Sequence, residues 1–198
     1  MSQTQVNPTW KVILTPEQIE ESVEKCAKVI NEKFQGEKVV VACILKGAAY
    51  FYVDLTRKLT LPHNCYFVEA SSYHNEQTQS DEIEILSLIK SEKFKGRKVI
   101  LVDELYDNGN TINLVRDAIS EKAEIPLEDI FTCTAFRKNK VTTQRLPDLC
   151  GCTVPDVWLV GYGLDDKQEK RNWTTLYGCP KCEGVPKTED DKMFDVVN

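Results

Sequence analysis

Residues 38–45, KVVVACIL, are an unbroken β-branched and apolar run of strand length. A strand with one wet face alternates, so a continuous run marks a strand buried on both faces. Residues 98–102, KVILV, repeat the pattern after the turn at Lys95-Gly96. Doubly buried strands need helices on both sides, and helical stretches lie between them in the chain. Thr15-Pro16-Glu17-Gln18 supplies an N-cap, a proline at the first helical position and a Gln three residues after the cap. Ile19, Val23, Cys26, Ala27 and Ile30 then recur on one face at helical period. Gly47 opens a second helical stretch, from Ala48 to about Leu59. A third starts at or just after Thr111, with Ile112, Val115 and Ile119 on one face. Further strands are expected at 65–69, 82–89, 129–136 and 156–162. The polar segment 71–81 reads as a mobile loop and 137–145 as a basic loop. Strands alternating with helices predict an α/β fold with a mostly parallel sheet.

With 198 residues the chain suits one domain, here taken as 1–198 with a C-terminal tail over 179–198. Its 25 basic and 31 acidic residues leave a net charge of −6. That balance argues against nucleic acid as a partner, which needs a basic surface. No apolar run is long enough to span a bilayer, and Met1–Trp10 has no signal-peptide pattern. The expected setting is cytoplasmic, with no membrane partner.

In parallel α/β sheets ligands bind beyond the carboxyl ends of the strands. That rule selects three loops: Lys46-Gly47, residues 103–111 and residues 163–171. The second is the most informative. The strand 98–102 delivers Asp103 and Glu104 side by side and Asp107 four residues after Asp103. Asn108-Gly109-Asn110-Thr111 then leads into a helix N-terminus. Backbone N–H groups at such a turn favour anions, and the carboxylates accept from hydroxyls or bind a metal. A ribose 5-phosphate needs that combination. A surface turn with capping Asp and Asn would use the same residues.

VDELYDNGNTI resembles the phosphoribosyl diphosphate (PRPP) signature of type I phosphoribosyltransferases, and three further segments agree. Ile44–Phe51 is similar to the pyrophosphate loop of hypoxanthine-guanine phosphoribosyltransferases, Ser71-Ser72-Tyr73 to their mobile active-site loop, and Pro155–Asp165 with Arg171-Asn172 to their base-binding end. Together they span roughly residues 38–176 in the family's order.

The resemblance implies a twisted, mostly parallel sheet flanked by helices, with a small hood built from the terminal segments. It implies a purine salvage enzyme that transfers ribose 5-phosphate from PRPP to a 6-oxopurine, with a lean towards guanine over hypoxanthine, giving GMP or IMP and pyrophosphate. Asp107 would be the general base, and Asp103, Glu104, Asp107, Asn108, Gly109, Asn110 and Thr111 would hold the ribose 5-phosphate. Lys46, Gly47 and Arg171 would meet pyrophosphate, across a Leu45–Lys46 peptide that is often cis in the family. Arg137, Trp158 and Leu159 would meet the purine, and Ser72 and Tyr73 would cap the site. Asp103, Glu104 and Asp165 would hold Mg²⁺, and relatives are usually homodimers or homotetramers. The chain departs from the family at Asn108 and Asn110, where Thr and often Lys are usual. It also departs at the base-reading position, usually Lys, where Arg137 stands with Lys138 next to it.

Cys26, Cys43 and Cys133 fall in apolar segments and read as buried small hydrophobes. Cys150, Cys152, Cys179 and Cys182 are open to three readings: a structural zinc site, a 179–182 disulfide, or reduced thiols. His63 and His74 have no metal-like partner in sequence. Two other classes of function compete with the enzyme. One is a regulatory protein of the same fold that binds nucleotide or nucleic acid. The other is an interaction module stapled by metal at the cysteines, which leaves residues 103–111 unexplained.

Overall fold

The computed structural model describes residues 7, 9–75, 80–180 and 189–194. Five parallel strands and one antiparallel edge strand form the main sheet. They are β2 (Val39–Leu45), β3 (His63–Asn75), β4 (Ser80–Ile85), β5 (Lys98–Tyr106), β6 (Ile130–Lys138) and β7 (Leu149–Val154). Their spatial order is β4-β3-β2-β5-β6-β7. Helices α1 (Pro16–Lys33) and α2 (Ala49–Lys58) pack on one face and α3 (Asn110–Ala123) on the other.

The unbroken run in β2 now has its cause. Val39, Val41 and Cys43 enter the core under α1 and α2, while Val40, Ala42 and Ile44 enter the core under α3. Each such side chain contributes about 1.5–3 kcal/mol on burial. The expected face of α1, from Ile19 to Ile30, is buried, and Thr15 and Gln18 form the reciprocal cap.

A second sheet of three antiparallel strands stands over the first as a hood: β1 (Lys11–Leu14), β9 (Leu176–Cys179) and β8 (Trp158–Val160). It unites segments from the two ends of the chain, as the resemblance implied. Trp173 packs edge to face on Tyr177 and at a tilt on Trp10, with ring centres 5.4 and 5.9 Å apart.

Three expectations on elements are corrected. Residues 71–75 and 80–81 are not loop: they belong to a hairpin in which Ala70 to Asn75 pair antiparallel with Ile85 to Ser80. The backbone ladder needs no apolar side chains, so a polar sequence hid it; residues 76–79 of the expected loop lie outside the described residues. The strand expected over 82–89 ends at Ile85, and Leu86 turns back to donate to the Glu69 carbonyl. β7, at the sheet edge, was not expected, because LCGCTV has neither alternation nor length.

Candidate active site

The order of the parallel strands reverses between β2 and β5. From β2 the chain moves outward to β3; from β5 it moves the other way to β6 and β7. Such a switch point opens a crevice at the carboxyl ends of the two strands. Those ends carry Lys46-Gly47 and Asp103-Glu104. A cleft of about 720 Å³ lies there, lined by Leu45, Lys46, Gly47, Asp103, Glu104 and Thr111, with Leu164, Asp165, Gln168 and Arg171 reaching in from the hood side.

Close contacts dictate two glycines. A Cβ on Gly47 would lie 2.0 Å from Glu104 Oε1. A Cβ on Gly163 would lie 2.1 Å from the Gly47 carbonyl oxygen, and Gly163 has φ +98°. The hood loop and the Lys46-Gly47 loop therefore touch backbone to backbone. Arg171 fixes that junction: Nη1 donates to the Gly163 carbonyl at 2.8 Å, and Nη2 lies 2.6 Å from Asp165 Oδ1. The Leu45–Lys46 peptide is cis.

Asp103 is buried and Glu104 half-buried. Burial, and then the neighbouring Glu104 charge, pushes Asp103 well above the ordinary carboxylate value. Burial raises Glu104 too, against the Asp103 hydrogen bond and the Arg171 charge. Crowded carboxylates facing a cleft suit a hard cation, which takes oxygen ligands. Among the described residues no three His, Cys, Asp or Glu side chains form a metal-holding group. The adjacent Asp103 and Glu104 carboxylates at an open cleft fit Mg²⁺, which keeps waters and takes substrate oxygens beside one or two carboxylates.

Past Glu104 the chain reaches Asp107, and then Gly109 in the left-handed region (φ +86°) starts α3. Asn108 Oδ1 accepts from the Asn110 N–H at 3.0 Å. The basic loop folds onto this turn: Thr142 Oγ1 donates to the Asn108 carbonyl, and Tyr106 Oη to that of Arg145. That fold brings cations to Asp107. Lys138 Nζ lies 3.1 Å from Asp107 Oδ2 and 3.2 Å from Asp156 Oδ1, and Lys140 Nζ contacts Asp107 Oδ1. Burial alone would raise the Asp107 pKa. The Lys140 and Lys138 hydrogen bonds and charges outweigh it and hold the carboxyl below its ordinary value.

Of the two basic residues at the end of β6, Lys138 reaches Asp107, beside Lys140 from the following loop, and Arg137 does not. Successive strand residues point to opposite faces, so Arg137 is turned away from the pair. Lys138 is 9% exposed, and Arg137 is half-buried. Trp158 is 45% exposed, which excludes it from the core, whereas Leu159 beside it is buried. The side chains of Ser72 and Tyr73 lie outside the described residues; their backbones are in the β3–β4 hairpin.

Sequence reading passed over Asp156 and Lys140 at the Lys138–Asp107 pair, and Glu69 and Gln168 in the lining of the cleft. Asp156 stood in the quoted segment Pro155–Asp165 but had no evident partner until Lys138 was placed. Cys26, Cys43 and Cys133 are buried free thiols, as expected. Cys150 and Cys152 lie on β7 of the main sheet and Cys179 on β9 of the hood. Cys150 and Cys152 are free thiols, and Cys182 falls outside the described residues.

Comparison with known proteins agrees with this geometry. The phosphoribosyl transferase domain family matches residues 9–167. The hypoxanthine-guanine phosphoribosyltransferase of Aquifex aeolicus is 32% identical over 169 residues, covering 84% of this chain and 93% of the relative. The hypoxanthine phosphoribosyltransferase of Salmonella typhimurium is 28% identical, covering 83% of this chain and 92% of the relative. A crystal structure of a hypoxanthine-guanine phosphoribosyltransferase from Bacillus anthracis superposes with a TM-score of 0.71 at 28% identity, covering 85% of this chain and 97% of that one. With a type I fold, the cleft at the switch point and these relatives in agreement, the chain belongs to the phosphoribosyltransferase family, in its hypoxanthine-guanine branch, and is an enzyme, a pentosyltransferase.

Proposed function

We propose that the enzyme transfers ribose 5-phosphate from PRPP to a 6-oxopurine and releases pyrophosphate. One observation carries the reading: a carboxylate and an ammonium, Asp107 and Lys138, are held 3.1 Å apart at the end of the strands. A 6-oxopurine presents N7 and O6 side by side on one edge. Asp107 accepts the N7 proton as the bond to the anomeric carbon forms, and Lys138 donates to O6. Asp107 is ionised at neutral pH, with its pKa held below the ordinary carboxylate value by Lys140 and Lys138.

The N–H groups of residues 108–111 at the start of α3 bind the 5-phosphate, aided by the Thr111 hydroxyl. Asn108 and Asn110 leave that site without a charged side chain. Asp103 and Glu104 hold the ribose hydroxyls, and Lys46, Gly47 and Arg171 meet pyrophosphate. Asp103 and Glu104 would hold Mg²⁺, with Asp165 meeting its waters from the hood side, and the ion would supply charge neutralisation on the diphosphate and ribose oxygens. Trp158 stacks on the base beside Leu159, and Ser72 and Tyr73 close over the site. Adenine presents a donor at position 6 and meets the Lys138 donor, so it is a poor substrate. Guanine is favoured weakly over hypoxanthine, because its extra amine offers one more contact. The same reading places one phosphoribosyltransferase domain over 1–198 in the cytoplasm, as a homodimer or homotetramer.

The test is a spectrophotometric assay of nucleotide formation from PRPP with guanine, hypoxanthine, xanthine and adenine in turn. Turnover of guanine or hypoxanthine with little of adenine is expected. Absence of turnover with any base, or adenine used as well as guanine, contradicts the reading.

A further inference from the structure

The described chain resumes beyond the hood as a short 3-10 turn, Glu189–Phe194. The family match ends at residue 167, so this turn lies outside it. It is fastened at two points. Asp190 Oδ2 accepts from the Asp156 backbone N–H at 2.7 Å. Lys11 Nζ donates to the Met193 carbonyl, and Met193 packs on the core that includes Val154, Val157 and Leu159.

Asp156 sits in the turn joining β7 to β8, and its carboxylate reaches Lys138 at 3.2 Å. The same residue is thus gripped by its backbone from the tail and holds Lys138 with its side chain. Two residues further on stands Trp158. Lys138 is a flexible four-carbon stem, and two carboxylates are what aim its ammonium. Loosening the Asp156 turn releases one of them and moves the start of β8. Through Lys138 these contacts reach the ribose-phosphate side of the site at Asp107, which Lys140 holds independently.

We propose that Asp190 is a positioning residue for purine recognition: the C-terminal turn holds Asp156, and through it Lys138, in place. The proposal rests on the reading of Lys138 and Trp158 as the purine side of the site. Asp190 touches neither substrate and acts only through Asp156.

The test uses the full chain with Asp190→Ala and Asp190→Asn. KM for guanine is measured at saturating PRPP, and KM for PRPP at saturating guanine. Asp190→Ala should raise KM for guanine about 5- to 10-fold, the scale of one ordinary net hydrogen bond because Asp190 acts at one remove, and leave KM for PRPP within about 2-fold. Asp190→Asn should recover most of the loss, because its amide oxygen accepts the same N–H. Asp190→Asn is close to isosteric, so it also serves if Asp190→Ala fails to fold: near-wild-type KM for guanine is then required of it. On a Lys138→Met background, Asp190→Ala should have no further effect on KM for guanine. Equal damage to both KM values, an Asn variant as poor as the Ala variant, or no change in either would overturn the proposal. A wild-type enzyme inactive on every purine would overturn the reading of the site itself, and the proposal with it. An active wild type with an unselective Asp190→Ala overturns the proposal alone.

Discussion

Replacing Lys138 by Met removes the ammonium and keeps the stem. At 3.1 Å and an effective dielectric constant near 20, each Lys138–carboxylate attraction is about 5 kcal/mol gross. Desolvation of the buried ammonium offsets most of that. The net effect depends on what is left behind. The Asp107 side chain is 42% exposed and still has Lys140; the Asp156 side chain is 12% exposed and loses this partner. Because Asp107 is partly exposed and keeps Lys140, the loss lies near the low end for a broken buried pair, about 3 kcal/mol. For a domain of this size that is a fall in Tm of about 6–12 °C. Catalytically, the variant loses a charge-assisted hydrogen bond to O6 worth about 1.5–3 kcal/mol. KM for guanine at saturating PRPP should rise about 10- to 150-fold at about 1.4 kcal/mol per decade. Arg137→Ala, turned from the pair, should change it by less than about 2-fold. The measurement is steady-state kinetics of both variants beside thermal melts. If Arg137→Ala damages guanine binding more than Lys138→Met does, the assignment of Lys138 is wrong.

Asp107→Asn should lower kcat by about 10²–10⁴-fold with little change in PRPP affinity, and near-normal kcat would remove Asp107 as the base. The Asp107 pKa is depressed in the fold, so its contribution to stability is full above the unfolded value of about 3.9 and is lost as pH falls through the lower folded value. Acid denaturation of Asp107→Asn should lack that component; identical acid melts would sink the pairing with Lys138 and Lys140. Trp158→Ala should raise KM for the purine roughly 10-fold with PRPP affinity unchanged, and Trp158→Phe should restore most of it; equal harm to both substrates would place Trp158 in a structural role. Gly163→Ala meets the Gly47 carbonyl at 2.1 Å and a φ of +98°, so it should cost at least about 2 kcal/mol and lower Tm by roughly 4–8 °C. An unchanged melt would mean that the two loops do not touch.

The parallel sheet, α1 and the acidic turn were legible in the sequence because their causes are local. A doubly buried strand must be apolar at every position, a capping box needs only residues 15–18, and residues 103–111 carry their donors and acceptors in one stretch. The family resemblance extended this to the hood and the base end. Contacts between distant residues were not legible. Choosing Lys138 over Arg137 needed the strand end of β6 to be placed against Asp107, since one residue of shift turns a side chain to the other face. The β3–β4 hairpin had no apolar pattern to announce it, because it is held by backbone bonds. Asp156 and Asp190 are ordinary acidic residues in the sequence. Only the tertiary structure set one against Lys138 and the other against the turn that carries it, because hydrogen bonds and ion pairs act over a few ångströms of space and leave no period along the chain.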